Sequence, residues 1–293
     1  MNLDSPQQLQ NPPQLDDSQQ LDNLRPLDSP RRRDLRQRTL AALVLLPVVL
    51  VCSYLGGWFF WALLLVFGGF ALWELSGLYT VPWNDRRASL FLLAAIFLCS
   101  SPFFYLPLEW IALLLLLAGA TYFLVAAKGE NRKRIASLFF GLLYIGIPLR
   151  WLFLLRQWPD GLYFFLLFLI GTFLSDIAAY FAGHWWGRRK IFPQISPGKT
   201  LAGTLASFFG GVGGVFAVGL LFGTPLLPLL PLGLLISLFS LLGDLFESML
   251  KRDAGVKDSS HAIPGHGGFL DRLDSLLFTA PLVYFYGIFI LSL

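Results

Sequence analysis

Residues 201–222 read LAGTLASFFGGVGGVFAVGLLF, twenty-two residues without one charged side chain. A helix rises about 1.5 Å per residue, so roughly 20 apolar residues cross a hydrocarbon core ~30 Å thick. Similar runs recur over residues 39–56, 58–80, 88–106, 108–127, 135–155, 161–182, 225–250 and 275–293. The chain is 56% hydrophobic and 14% charged, with 28 Phe. This composition overrides the soluble domains that length alone would suggest. The reading is an all-α, polytopic helical membrane protein with about nine transmembrane helices. Pro225, Pro228 and Pro231 crowd the start of the eighth run, whose pattern can continue toward Arg252.

Basic residues give the sidedness, because cytoplasmic loops attract Lys and Arg. With nine alternating helices, the tail and segments 81–87, 128–134, 183–200 and 251–274 share one side. They hold 20 of the 22 Lys and Arg, leaving Arg150 and Arg156 near the other side. The expected topology has the N-terminus cytoplasmic and the C-terminus outside. The protein is then expected in the plasma (inner) membrane with its active site facing the cytoplasm.

Residues 1–38 form a cytoplasmic tail rich in Gln, Pro, Asp and Ser. Such a composition buries too little apolar surface to offset ordering entropy, so disorder is expected. Its RRRDLRQR end is membrane-flanking charge, and nucleic-acid binding is not expected. The first apolar run begins too late for a cleavable signal peptide. Cys52 and Cys99 lie in apolar runs, offer no disulfide or zinc spacing, and read as small buried residues. Residues 39–170 are expected to form an N-terminal set of transmembrane helices. Residues 171–293 are expected to be a catalytic region with cytosolic loops 183–200 and 251–274.

Ionic residues concentrate in that second region. Residues 251–275, KRDAGVKDSSHAIPGHGGFLDRLDS, hold eight charges and two of the three histidines. Asp176 lies within the sixth run. Asp244, Glu247, Ser248 and Lys251 follow at i, i+3, i+4 and i+7, one face of a helix. Bare carboxylates at bilayer centre cost about 2.5–3.5 kcal/mol each, or roughly 8–10 kcal/mol for three. That rivals a whole domain's stability of ~5–15 kcal/mol, so these acids must line a wet or ion-filled cavity. Asp271 and Asp274, at i and i+3, share one side of a helix start. They suit a hard cation held with waters and phosphates, or a helix end that accepts acids. Gly265, Gly267 and Gly268 let backbone N–H groups approach an anion. Carboxylates, glycines and the bases Lys251, Arg252, Lys257, His266 and Arg272 together point to a nucleoside triphosphate site.

The other loop carries Arg188, Arg189 and Lys190 before SPGKT, residues 196–200. A P-loop needs Gly at the position of Pro193, so this is not one. A helix N-terminus carrying Ser196, Lys199 and Thr200 can still cradle phosphate. His184, Trp185 and Trp186 read as an interfacial belt. The glycines at 210–214 read as close helix packing. Glu74 has no partner in the sequence reading beyond a buried salt bridge.

Ser248, Lys251, Arg252, Lys257, Asp258, Pro264, His266, Gly267, Gly268, Asp271, Arg272 and Asp274 resemble the signature of the phosphatidate cytidylyltransferases, or CDP-diacylglycerol synthases. The 27 residues from Ser248 to Asp274 carry the match, and SDIAAYFAGHWWGRRK and SPGKT resemble further blocks of that family. One departure is Leu201-Ala202-Gly203, where the family usually has Trp-Glu-Gly. The resemblance implies an enzyme that converts CTP and phosphatidic acid, a membrane lipid, into CDP-diacylglycerol and pyrophosphate with Mg²⁺. It implies catalytic roles for Asp244, Asp271, Lys251 and Arg252. Metal ligation falls to Asp244, Asp271 and Asp274, with room for a second cation between Asp244 and Asp271. Substrate binding falls to Ser196, Lys199, Thr200, Ser248, Lys257, His266, Gly267, Gly268 and Arg272, with Asp176 as a further nucleotide or metal contact. His266 is cast as a hydrogen-bond donor, because the lipid phosphate is already anionic. The alternative is a CTP-dependent polyprenol or phytol kinase. A transporter is disfavoured, because its acids would be spread across the bilayer depth. A homodimer is compatible with the sequence.

Overall fold

The computed structural model describes residue 43 and residues 45–79, 140–260 and 267–291. The expected spans 88–106 and 108–127, the N-terminal tail and His266 lie outside the described residues. Helices α1 (Leu45–Leu55) and α2 (Gly57–Leu78) are followed by α3 (Ile147–Gln157), α4 (Gly161–Trp186), α5 (Leu201–Phe222), α6 (Leu229–Asp253) and α7 (Leu270–Phe289). No strand forms among the described residues; Lys190 and Thr200 pair in an isolated antiparallel bridge. Four helices, α2, α4, α5 and α6, are long and apolar enough to cross a bilayer.

Boundaries differ from the sequence reading where local chemistry intervenes. A π-helical turn, Leu142–Gly146, precedes α3. Pro148 has no N–H to donate to the Tyr144 carbonyl, so the α-helical ladder cannot run through unbroken. Helix α6 starts after Pro228, which is its cap residue, and continues past Arg252 to Asp253. Helix α7 begins at Leu270, five residues before the expected span, and takes Asp271, Arg272 and Asp274 into its first turns.

Helices α4 and α5 pack along most of their length, and α6 packs on both α5 and α7. The core joins Phe60 and Leu72 of α2, Phe153 of α3, Phe168 of α4, Ile236 of α6 and Leu277 of α7. The α4–α5 contact depends on missing side chains. A Cβ at Gly214 would lie 2.9 Å from both Gly171 Cα and the Ile170 carbonyl oxygen, whereas one at Gly213 would meet nothing within 4 Å. Gly214→Ala is therefore expected to destabilise by about 1–3 kcal/mol through overpacking. Gly213→Ala is expected to hold or raise stability, because Ala is the better helix former. Thermal unfolding of the two detergent-purified variants checks the pair.

The two ends of the bundle have different chemistry. At one end, Arg156 donates from Nε to the Ser53 carbonyl (2.6 Å) and from Nη2 to that of Tyr54 (2.9 Å). A guanidinium thus satisfies carbonyls at the C-terminus of α1, where a cation is favoured. Tyr286 donates to the Pro228 carbonyl (2.6 Å) and Tyr163 pairs with Thr224 (2.9 Å) near the same end. At the other end α2, α4 and α6 finish while α5 and α7 begin, and the ionic residues collect there.

Candidate active site

The loop after α4 folds back on itself before α5. Ile191 N–H donates to the Lys199 carbonyl (3.1 Å) and Leu201 N–H to that of Arg189 (2.9 Å). Thr200 caps α5, its hydroxyl accepting from Gly203 N–H (3.2 Å). This fixes Lys199 one residue before the cap, where its ammonium forms an ion pair with Asp244 of α6. Arg252 Nε reaches the Ile195 carbonyl (3.4 Å) and its Nη1 that of Val256 (3.2 Å), joining the two charged loops.

On α6 the expected face is present. Ser248 donates to Asp244 Oδ1 (3.3 Å), and Lys251 pairs with Glu247 one turn below it (2.6 Å). Lys251 also binds Asp271 Oδ1 of α7 (2.6 Å). The other oxygen of Asp271 accepts from Ser259 N–H (3.1 Å), Ser259 Oγ (2.9 Å) and Gly268 N–H (2.8 Å). The Gly268 amide that the sequence offered to a phosphate is therefore used by the chain's own carboxylate.

Asp274, one turn after Asp271, accepts from its neighbour Ser275 N–H (2.6 Å). Asp244 and Asp176 lie near enough to act on it electrostatically, as does Lys199. Asp176 Oδ1 in turn accepts from Ser240 Oγ (2.6 Å). Carboxylates from α4, α6 and α7 thus gather around one lysine. The close crossing of α6 and α7 at Gly243, whose Cα faces the Asp274 backbone, makes this possible.

These residues share a cavity of about 1070 Å³. Its polar end is lined by Asp176, Ser196, Lys199, Thr200, Asp244, Asp271, Arg272 and Asp274. Its apolar part is lined by α1, α2 and α4 residues such as Phe60, Leu64, Phe165 and Phe168. Leu46, Phe173, Ile177 and Tyr180 also line it and are exposed, so it reaches the flank of the bundle. A cavity apolar on one side and ionic on the other matches an amphiphile with a charged head.

Most sequence candidates come together. Ser248, Lys251 and Gly268 stand one contact behind the lining, through Asp244 and Asp271. Lys257 is exposed and outside the lining, and Gly267 adopts a positive φ of 80° beside Asp271. His184 lines the cavity, beyond the interfacial role expected of it, while Trp185 and Trp186 are exposed as a belt would be. Glu74, which has no assigned role in the sequence, acquires one here. It accepts from Ser259 Oγ (3.0 Å), Ser260 Oγ (2.6 Å), Phe269 N–H (3.0 Å) and Leu270 N–H (2.8 Å). The sequence signal is an acid in an apolar run, but its partners lie 185 to 196 positions away.

Among the described residues no three His, Cys, Asp or Glu side chains enclose an ion by themselves. Mg²⁺ does not require that, since it is usually held by one or two carboxylates plus water and phosphate. The donor set fits: hard carboxylate oxygens exceed the nearby cations. Glu247 Oε1 and Ser175 Oγ are also buried without a partner among the described residues.

Acids and lysines at one end of a bundle of membrane-length helices, opening into an apolar chamber, suit an enzyme that handles charged lipid headgroups. The chain belongs to the cytidylyltransferase family, whose family model matches residues 36–290. It is similar to proteins named phosphatidate cytidylyltransferase in three bacteria. The Thermotoga maritima protein is 34% identical over 86% of this chain and 95% of its own length. The Bacillus subtilis protein is 32% identical over 86% and 97%. The Synechocystis protein is 49% identical, but the match spans about half the length of each chain (46% and 47%). The resemblance read from residues 248–274 is borne out.

Proposed function

We propose that this membrane protein transfers the cytidylyl group of CTP to phosphatidic acid, releasing pyrophosphate. The observation that carries this is the shared cavity, in which Lys199, Asp244, Asp271 and Asp274 meet an apolar chamber. The family and the names of its relatives support the same chemistry.

In this reaction an oxygen of the lipid phosphate forms a bond to the α-phosphorus of CTP. The bond from that phosphorus to the bridging oxygen of the β-phosphate breaks, and pyrophosphate leaves with the electron pair. The attacking oxygen is already anionic near neutral pH, so no strong general base is needed. The protein's work is to hold two polyanions in line and offset their charge. Lys199 and Arg272, on the lining, are placed to hold phosphates, with Lys251, Arg252 and Lys257 supporting them from behind and from the rim. An incoming triphosphate competes with Asp244 for Lys199 and with Asp271 for Lys251.

Mg²⁺ is the proposed cofactor; when bound it neutralises triphosphate charge and stabilises the departing pyrophosphate. Asp244 and Asp274 are the carboxylates best placed to hold it, with Asp176 beside them. Asp271 serves as a ligand only by exchanging the Lys251 ammonium for the ion. In the nine-helix topology expected from the sequence, twenty of the 22 basic residues flank one set of helix ends, which supports the ionic end facing the cytosol, where CTP is found. The inner bacterial membrane is the proposed location.

Purified protein given phosphatidic acid, Mg²⁺ and CTP labelled in the cytosine ring is expected to yield labelled lipid. Label carried to lipid only from the γ-phosphate would assign the chain to the lipid kinases instead.

A further inference from the structure

Glu74 is 6% exposed near the end of α2, far in sequence from every residue assigned above. Four neutral donors converge on its carboxylate, two from the loop after α6 and two from the first backbone amides of α7. Amides at a helix start lack intrahelical partners and carry the positive end of the helix dipole, so a carboxylate there is well satisfied. Glu74 therefore caps α7 from a different helix. Phe67 and Phe70 precede it at i−7 and i−4, on the same face of α2. The Phe70 ring stacks on Phe269 at 4.7 Å and that of Phe67 meets it edge-on at 5.4 Å. One face of α2 thus grips the residue that opens α7.

The grip leads to the site in one step. Leu270, held by Glu74, is followed by Asp271, which holds Lys251. Ser259 Oγ lies within hydrogen-bond reach of both carboxylates, 3.0 Å from Glu74 Oε2 and 2.9 Å from Asp271 Oδ2. Its single proton serves one of them at a time, so the two acids share one hydroxyl between them.

We infer that Glu74 is a positioning residue for cytidylyl transfer: it sets Asp271 and Lys251 through Ser259 and the first amides of α7. This rests on the function proposed above. The full-length protein is compared with Glu74→Gln, Glu74→Asp and Ser259→Ala in three measurements: turnover, CTP–Mg²⁺ binding at equilibrium, and amide exchange over residues 267–273. Glu74→Gln exchanges two acceptor positions for donors that face donors. It is expected to lower kcat/KM for CTP by about 10²-fold, partly through KM, as an ångström-scale misplacement does. Exchange over 267–273 is expected to quicken about tenfold or more, with α5 unchanged. Glu74→Asp, which keeps all acceptors on a shorter arm, should recover part of both effects. Ser259→Ala should move both in the same direction by less, and it carries the test if Glu74→Gln does not fold.

A smaller folded fraction lowers the rate but leaves KM and the CTP affinity where they were, so a loss confined to kcat overturns the inference. So does faster exchange with unchanged CTP affinity, or altered affinity with unchanged exchange. Wild-type protein that makes no cytidine-labelled lipid sinks the function instead. Binding and exchange then still decide whether Glu74 sets the nucleotide site.

Discussion

Asp271→Ala is expected to reduce cytidylyl transfer by about 10²–10³-fold, the range seen when one preorganised charge-stabilising group is removed. The carboxylate is mostly buried and receives one ammonium, two amides and a hydroxyl. Its removal leaves Lys251 with Glu247 alone and the amides of Ser259 and Gly268 without an acceptor. Each buried donor left unpaired costs about 1–3 kcal/mol, so the variant should also melt earlier. Asp271→Asn separates the two effects. Its amide keeps one acceptor oxygen for the Ser259 and Gly268 amides and nearly the same volume, so part of the stability should return. The rate stays low because an NH2 group now faces the Lys251 ammonium and no charge fixes it. Turnover and thermal unfolding of both variants in the same detergent make the comparison. Wild-type turnover in a folded Asp271→Ala protein would remove this residue from the site.

Gly243→Val is expected to lower both stability and rate, though position 243 carries no chemistry. A Cβ at Gly243 would overlap the carbonyl oxygen of Asp274 and stand 3.1 Å from Ser275 Cα. Backbone cannot step aside as a flexible side chain can, so α6 and α7 must separate. Overpacking of this kind costs about 1–3 kcal/mol. The larger effect is on geometry, because Asp244 follows Gly243 directly and Asp274 is the residue it faces. An ångström of separation there moves two carboxylates that act on each other, and a loss near 10²-fold is the scale to expect. Gly213→Val, on the open side of α5, is the control. If both valine variants turn over equally well, the α6–α7 crossing does not set the site.

Much of the bundle is legible in the sequence because hydrocarbon leaves the backbone few choices. The run 201–222 coincides with α5 because an uncharged stretch is bracketed by a capping threonine and a left-handed glycine, Gly223. The start of α7 is less legible. The spacing of Asp271 and Asp274 suits a helix start, but their charge keeps them, with Arg272, out of the expected membrane span, which begins at 275. The helix carries them because its first turns face a charged cavity. The face of Asp244, Glu247, Ser248 and Lys251 follows from helical spacing alone. Which cation meets which acid does not: Lys199 joins Asp244 and Lys251 joins Asp271 across helix crossings that no local pattern encodes. Glu74 is the extreme case. Its acid is conspicuous in an apolar run, but only packing brings it to the start of α7.

The two-ended chamber also bears on how a turnover finishes. Its products differ in solubility as sharply as its walls do. The acylated one can slide out sideways through the exposed flank at Phe173 and Ile177 without its tails ever meeting water. The inorganic one departs past the basic rim. Separate doors mean that neither product must wait for the other.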